Sequence, residues 1–179
     1  MARPDAPGSH GDSGAGSPRS GLWQRIDGAA FGLIYGAVTV LALLMAMGAH
    51  PSGPLEMAVV LFGSVLAITL AKAFAEVMSG AIDSGTKIKG TAIAGAWHHA
   101  RPTLVAANVP AAALLAAHAG WWSVDTAIAA AQVYCVALLM LIGLRTGWVV
   151  DQRPLPAVLA MILAGAVGVA LAGMKYILH

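Results

Sequence analysis

The sequence predicts an all-helical membrane protein, a polytopic bundle with five transmembrane helices and a cytoplasmic N-terminus. Composition, the length of the apolar segments and the placement of charge each indicate this class. Of 179 residues, 59% are hydrophobic and 10% are charged, with a mean hydropathy of +0.78. Soluble domains carry about a quarter charged residues and under half apolar ones. This chain therefore has too few polar groups to cover a globular surface, and lipid must cover the rest.

Residues 1–21 are predicted to form a disordered cytoplasmic tail. Gly, Ser, Pro and Asp dominate them, and no apolar periodicity occurs. Such a segment cannot bury enough apolar surface to offset the entropy that folding removes. It also lacks the apolar stretch of a signal peptide. The first apolar segment could itself be a cleaved signal sequence, but its length and the lack of an A-x-A site argue against that.

Five apolar segments follow, and they define a transmembrane domain over residues 22–179. Each is close to the roughly 20 residues with which a helix crosses a hydrocarbon core about 30 Å thick. Helices are expected because lipid cannot satisfy the backbone polar groups of an open strand. The third segment is the least apolar, since it holds Asn108, Pro110 and His118. The five predicted spans are residues 26–48, 55–78, 102–120, 124–144 and 155–178.

The placement of Lys and Arg predicts how these spans are threaded. Short loops rich in Lys and Arg remain in the cytoplasm, and Trp side chains gather at both membrane interfaces. The loops around Pro51 and Trp121 contain no Lys or Arg, and all five Trp residues fall at or just beyond span ends. We therefore expect a bacterial inner (plasma) membrane protein with its N-terminus inside and its C-terminus outside. The basic residues expected on the cytoplasmic side are Arg3, Arg19, Arg25, Lys87, Lys89, Arg101, Arg145 and Arg153.

Residues 86–100, TKIKGTAIAGAWHHA, differ from the spans. Their apolar residues fall near one helical face, and Lys87 and Lys89 flank it. This pattern predicts a short helix that lies on the cytoplasmic surface and leads into Pro102. Its basic residues would contact anionic lipid headgroups.

Small residues recur at four-residue spacing on the first and fifth spans. They allow two helix backbones to approach closely, which drives association in lipid. The stripes can serve as a dimerisation face or as ordinary packing within one bundle, and we favour the second interpretation. The stripes are Gly28, Gly32 and Gly36 on the first span and Ala160, Ala164, Gly168 and Ala172 on the fifth.

Lys72 and Glu76 interrupt the second span and share one helix face, because they are four residues apart. In one interpretation they form a coupling site, where Glu76 takes up a proton or cation and Lys72 tunes it. That site would include Asn108 and Gln132 if these polar residues meet inside the bundle. In the other interpretation Lys72 reaches toward the interface and Glu76 neutralises it. An unpaired charge at the bilayer centre costs at least about 2.5–3.5 kcal/mol, and the cost should be smaller for Lys72, which lies shallower and has a long side chain and an acidic neighbour.

No residue pattern indicates catalysis, a metal or a cofactor, and we expect none of the three. The adjacent His98 and His99 point to different sides of a helix and make a poor chelate. Cys135 is the only cysteine, so no intrachain disulfide can form. The motifs of hydrolases, zinc proteases, phosphate-binding loops and dinucleotide-binding folds do not occur. A net charge of +2 is too small to indicate nucleic-acid binding.

Four stretches carry a resemblance to known sequences: RIDGAAFGLIYGAVTVLAL, AKAFAEVMSG, HHARPTLVAANVP and MKYILH. Through them the chain resembles an uncharacterised family of small bacterial five-span integral membrane proteins. The resemblance implies five spans and a bacterial membrane, but no activity, substrate or cofactor. Members of that family often carry histidine at the position of Lys72 and an acidic residue at that of Glu76. The lysine here argues against a metal-ligand role.

Two functional hypotheses follow from these observations. The first is a non-catalytic membrane component that lies in the lipid bilayer and associates with itself or with a membrane partner subunit. The alternative is a small proton- or cation-coupled transporter or channel that uses Glu76 and Lys72. An odd number of spans without a visible repeat counts against a transporter built from inverted repeats. Convergence of the polar residues around one cavity would favour transport.

Overall fold

A computed structural model describes residues 21–47, 53–85 and 90–177, and within these ranges the chain contains five helices and no strand. All five helices are long and apolar enough to cross a membrane. The prediction of an all-helical bundle is confirmed for this part of the chain, and its five helices are compatible with a multi-pass membrane protein. Residues 1–20 of the predicted tail, and Lys87 and Lys89, lie outside the described ranges. The helices are α1 (Gly21–Met47), α2 (Pro54–Ser84), α3 (Gly90–His118), α4 (Val124–Asp151) and α5 (Pro154–Ile177).

The second and fourth helices extend well past the predicted ends of their spans. α2 has 31 residues, about 46 Å at 1.5 Å per residue, which exceeds a hydrocarbon core of about 30 Å. It ends at Gly85, whose φ of 61° is the left-handed conformation that glycine adopts without steric penalty. α4 begins after Ser123, whose side chain accepts a hydrogen bond from the Thr126 N–H. Both helices therefore begin or end at recognisable caps rather than where hydropathy falls.

The helices alternate in direction, and two antiparallel pairs dominate the packing. α4 packs most extensively on α5, and α2 on α3. α1 lies against α3, α4 and α5 and touches α2 only slightly. One end of the bundle carries the start of α1, the end of α2, the start of α3 and the α4–α5 turn, and we name it the α2–α3 end. The interior is filled by apolar side chains, of which the largest with no exposed surface are Leu41, Leu44, Leu61, Leu114, Val40 and Val65.

α3 replaces the predicted surface helix and third span with one continuous helix. Residues 86–89 lie outside the described ranges, but the helix runs unbroken from Gly90 to His118, through Pro102 and Pro110. Ala96 and Ala100 are buried, so this segment packs against neighbouring helices instead of standing apart from the bundle. The extension of α2 to Ser84 gives it a surface to pack on. Packing thus holds the helix together where a proline removes a backbone hydrogen bond.

α1 approaches α3 through two of the small residues that the sequence singled out. A Cβ atom added at Gly36 would lie 2.7 Å from the Thr103 carbonyl oxygen and 2.8 Å from the Ala106 Cβ. One added at Gly32 would lie 2.9 Å from the Pro102 Cβ. Gly32 and Gly36 of the α1 stripe are therefore occupied by packing inside the bundle.

Part of the stripe on α5 is also occupied, because α5 packs against two glycines of α4 that were not singled out from the sequence. A Cβ at Gly143 would lie 2.6 Å from the Ala160 carbonyl oxygen and 2.9 Å from the Ala164 Cβ. A Cβ at Gly147 would lie 2.5 Å from the Ala157 Cα. Both stripes agree with the favoured interpretation of internal packing.

Gly36→Ala tests this close contact. We expect the variant to be less stable by about 1–3 kcal/mol, because the added methyl group must push α1 away from α3. Gly95→Ala is the matched control, since a Cβ at Gly95 meets no atom within 4 Å. The control should be unchanged or more stable by up to about 1 kcal/mol, as alanine favours helix. Unfolding in detergent measures both, and equal stability of the two variants would contradict the packing described.

Candidate polar site between α2 and α3

Glu76 contacts a histidine that is distant in sequence. Its Oε1 atom lies 2.7 Å from Nδ1 of His99 on α3. The relative exposure of the two side chains is 40% for Glu76 and 70% for His99, so solvent or lipid headgroups can reach both. The contact joins α2 to α3 about 12 Å along α2 from Ser84. An exposed pair of this kind contributes about 0–1 kcal/mol to stability, so its chemistry matters more than its strength.

Lys72 points to a different helix from Glu76. Its Nζ atom lies 4.3 Å from the centre of the Phe31 ring and 5.9 Å from that of Tyr35, both on α1. The two rings stack with their centres 6.3 Å apart. The described side chains of Lys72 and Glu76 form no ion pair with each other, although four residues separate them. A cation over an aromatic face contributes about 0.5–2 kcal/mol of favourable interaction free energy, and here it adds to the few contacts between α1 and α2.

Two buried hydroxyl groups lie next to this site. Thr69, one turn before Lys72, donates its hydroxyl to the Val65 carbonyl at 2.7 Å and has no exposed surface. Thr103, one turn after His99, is equally buried, and its Oγ1 has no hydrogen-bond partner among the described residues. The Thr69 hydroxyl is thus satisfied within its own helix. The other fully buried residues of the described bundle are apolar, although the Nε atom of the half-buried Arg145 on α4 is also buried.

Asn108 lies elsewhere, on the outer surface of the bundle. It lines a groove of about 580 Å³ between α2 and α3, which we name the Asn108 groove. Its amide has no hydrogen-bond partner in the described part of the chain. The other lining residues are apolar or glycine: Ala58, Val59, Phe62, Gly63, Ala111, Ala112 and Leu115.

Gln132 lies on a third surface, in a groove of about 460 Å³ between α4 and α5. The four candidate residues Lys72, Glu76, Asn108 and Gln132 therefore do not line one cavity. Two further polar residues on α1 have partners of their own, since Tyr35 stacks on Phe31 and Thr39 donates its hydroxyl to the Tyr35 carbonyl. Of the four, only Lys72 and Glu76 lie in the same region.

The contact between Glu76 and His99 was not predicted from the sequence, in which the two residues are 23 positions apart. A signal was present, since Glu76 lies eight residues before the end of α2 and His99 nine after the start of α3. Counting outward from a tight loop between antiparallel helices places the two at one level. The predicted second span ended at residue 78 and the predicted third span began at residue 102. With these limits, His99 lay outside both spans and was not placed beside Glu76.

The arrangement supports proton exchange better than metal binding. No group of three or more His, Cys, Asp or Glu side chains that could hold a metal ion occurs among the described residues. A carboxylate hydrogen-bonded to an imidazole can pass or hold a proton, since both groups serve as acids and bases in proteins.

Comparison with known proteins adds no family to this description. No protein-family model, curated protein or solved structure matches the chain. The assignment to a membrane therefore depends on the composition of the chain and on its five long apolar helices.

Proposed function

We propose that this chain is a non-catalytic component of the bacterial inner membrane that acts by associating with another transmembrane protein, either a copy of itself or a partner subunit. The observation that carries the proposal is the unpaired amide of Asn108 in an apolar groove on the outer surface. The lack of catalytic motifs in the sequence is consistent with it.

The depth of Asn108 makes its unpaired amide costly in lipid. Asn108 precedes His118, the end of α3, by ten residues, or about 15 Å along the helix. This is about half the thickness of a hydrocarbon core. An acyl chain offers no hydrogen bond, and a polar group left unpaired in hydrocarbon costs several kcal/mol. The asparagine side chain is too short to reach the headgroups. A protein partner that supplies donors and acceptors would remove this penalty.

Photo-cross-linking in native membranes tests the proposal. A photoreactive residue at Ala112, which lines the Asn108 groove, should form an adduct with a protein. The same residue at Leu163 on α5, which is 69% exposed and outside both grooves, should react with lipid only. If position 112 forms no protein adduct, or no more than position 163, the proposal fails.

The proposed orientation places the α2–α3 end in the cytoplasm, with the N-terminus inside and the C-terminus outside. Arg101 and Arg153 belong to that end, and basic residues favour the cytoplasmic side. At the opposite end lie Trp121 and Trp122, 82% and 43% exposed, as expected of an interfacial belt.

Reporter fusions check this threading. A reporter that is active only in the cytoplasm should be active at residue 1 and inactive after residue 179. A fusion in the α4–α5 turn at Gln152 is the internal control and should behave like the N-terminal fusion. Activity at both chain ends would contradict the orientation.

A second candidate function, proton or cation coupling at Glu76, has the Glu76–His99 contact in its favour. A carboxylate and an imidazole at 2.7 Å can exchange a proton. Against it stand the separation of Asn108 and Gln132 from this pair and the apolar interior of the described bundle.

Flux measurements decide between the two functions. In liposomes that contain the purified protein, an imposed proton or potassium gradient should decay no faster than in empty liposomes. Glu76→Gln should leave that rate unchanged. Glu56→Gln is the matched control, because Glu56 is an exposed carboxylate in the first turn of the same helix. Flux that Glu76→Gln abolishes and Glu56→Gln preserves would establish coupling.

A further inference from the structure

We infer that the partner at the Asn108 groove is a second copy of this chain, joined by a two-fold axis along the membrane normal. This inference rests on the proposed function and names its partner. Two copies inserted in the same orientation have parallel α3 helices. Each residue of one α3 then lies at the same membrane depth as its counterpart in the other copy. Asn108 then faces Asn108 of the second copy.

The chemistry of the amide favours a copy of itself. A carboxamide carries an acceptor oxygen and a donor NH₂ group, so two identical amides can form two hydrogen bonds with each other. A two-fold axis presents this arrangement automatically, because an isologous interface repeats every contact. Asparagine also promotes association of transmembrane helices, since the alternative is an unsatisfied amide in lipid.

The walls of the groove permit a close approach of a second helix. A Cβ added at Gly63 on α2 would meet no atom within 4 Å, so the backbone there is open to the outside. Ala112, one turn after Asn108, is small and exposed. Val105, Val109 and Leu115 are 52%, 46% and 47% exposed on the same side of α3, and they supply the apolar contacts that surround the amide pair.

Two rival interfaces are less consistent with the described contacts. Most of the small-residue stripes of α1 and α5 is already packed against α3 and α4 and is not free to join two copies; the packed residues are Gly32, Gly36, Ala160, Ala164 and Gly168. A contact between the Asn108 groove of one copy and the Gln132 groove of the next would join different surfaces. Such a head-to-tail contact extends into rows unless its rotation closes a ring. The two-fold pairing closes with two copies.

Disulfide cross-linking in native membranes tests the inference. In a Cys135→Ala background, Ala112→Cys should form a disulfide between two copies that carry different tags. Ala129→Cys reports on the Gln132 groove, and Leu163→Cys reports on random collision, since both positions are exposed on other surfaces. Neither should cross-link above the collision level.

The amide is tested in the same Ala112→Cys background. Asn108→Leu should weaken dimerisation by about three- to twenty-fold, the range of one to a few interhelical hydrogen bonds in membranes. Asn108→Gln keeps an amide and should retain most of the association. Gln132→Leu removes an amide from the other groove and should have no effect. Equal dimerisation of Asn108→Leu and the unchanged chain would overturn the role of the amide.

The possible failures are distinguishable. If Ala112→Cys does not cross-link to itself while a photoreactive residue at position 112 still captures another protein, the second copy is wrong and the proposed function stands. Self-cross-linking through Ala129→Cys instead would move the interface to the Gln132 groove and overturn the inference. If position 112 reaches no protein by either method, both proposals fail.

Discussion

Close contact between helix backbones, made possible by glycine, is the constraint on which this bundle depends. In lipid the hydrophobic effect does not draw apolar helices together, so van der Waals contact must do so. Gly36 lets α1 touch the backbone of α3, and Gly147 lets α4 touch the backbone of α5. Side chains at these positions would separate the helices and weaken the dispersion contacts, which decline steeply with distance.

This constraint determines where the charged side chains can go. Because α1 packs on α3, it makes few contacts with α2. Lys72 of α2 supplies one of them by lying over the Phe31 and Tyr35 rings of α1. Because α2 and α3 are antiparallel neighbours, Glu76 meets His99 instead of Lys72. Two charges that look like a local pair in sequence thus serve two different helix contacts. Backbone packing, rather than their own attraction, decides their partners.

The distribution of polar groups supports a role at the outer surface of the bundle. The buried residues of the described interior are mostly Leu, Val and Ala, with Thr69 and Thr103 as the buried polar ones, whereas Asn108 and Gln132 line outward-facing grooves. Polar groups that serve a path through a bundle would be expected to face one another inside it. An amide on the outer wall instead favours recognition of another helix. The Glu76–His99 contact remains the feature that a coupling function would use.

The sequence by itself determined the class of the protein, the existence of five helices and the approximate positions of most span ends. Composition and segment length suffice for this, because a bilayer imposes a minimum apolar length on any helix that crosses it. It did not reveal that residues 90–118 form one helix, since continuity through Pro102 depends on packing against other helices, and Pro102 lies against Gly32 of α1. It also left open whether Lys72, Glu76, Asn108 and Gln132 meet. Only the tertiary structure decided that, because the rotation and register of each helix follow from which glycines contact which neighbours. A helical period identifies the residues that share a face, but not the helix which that face will meet.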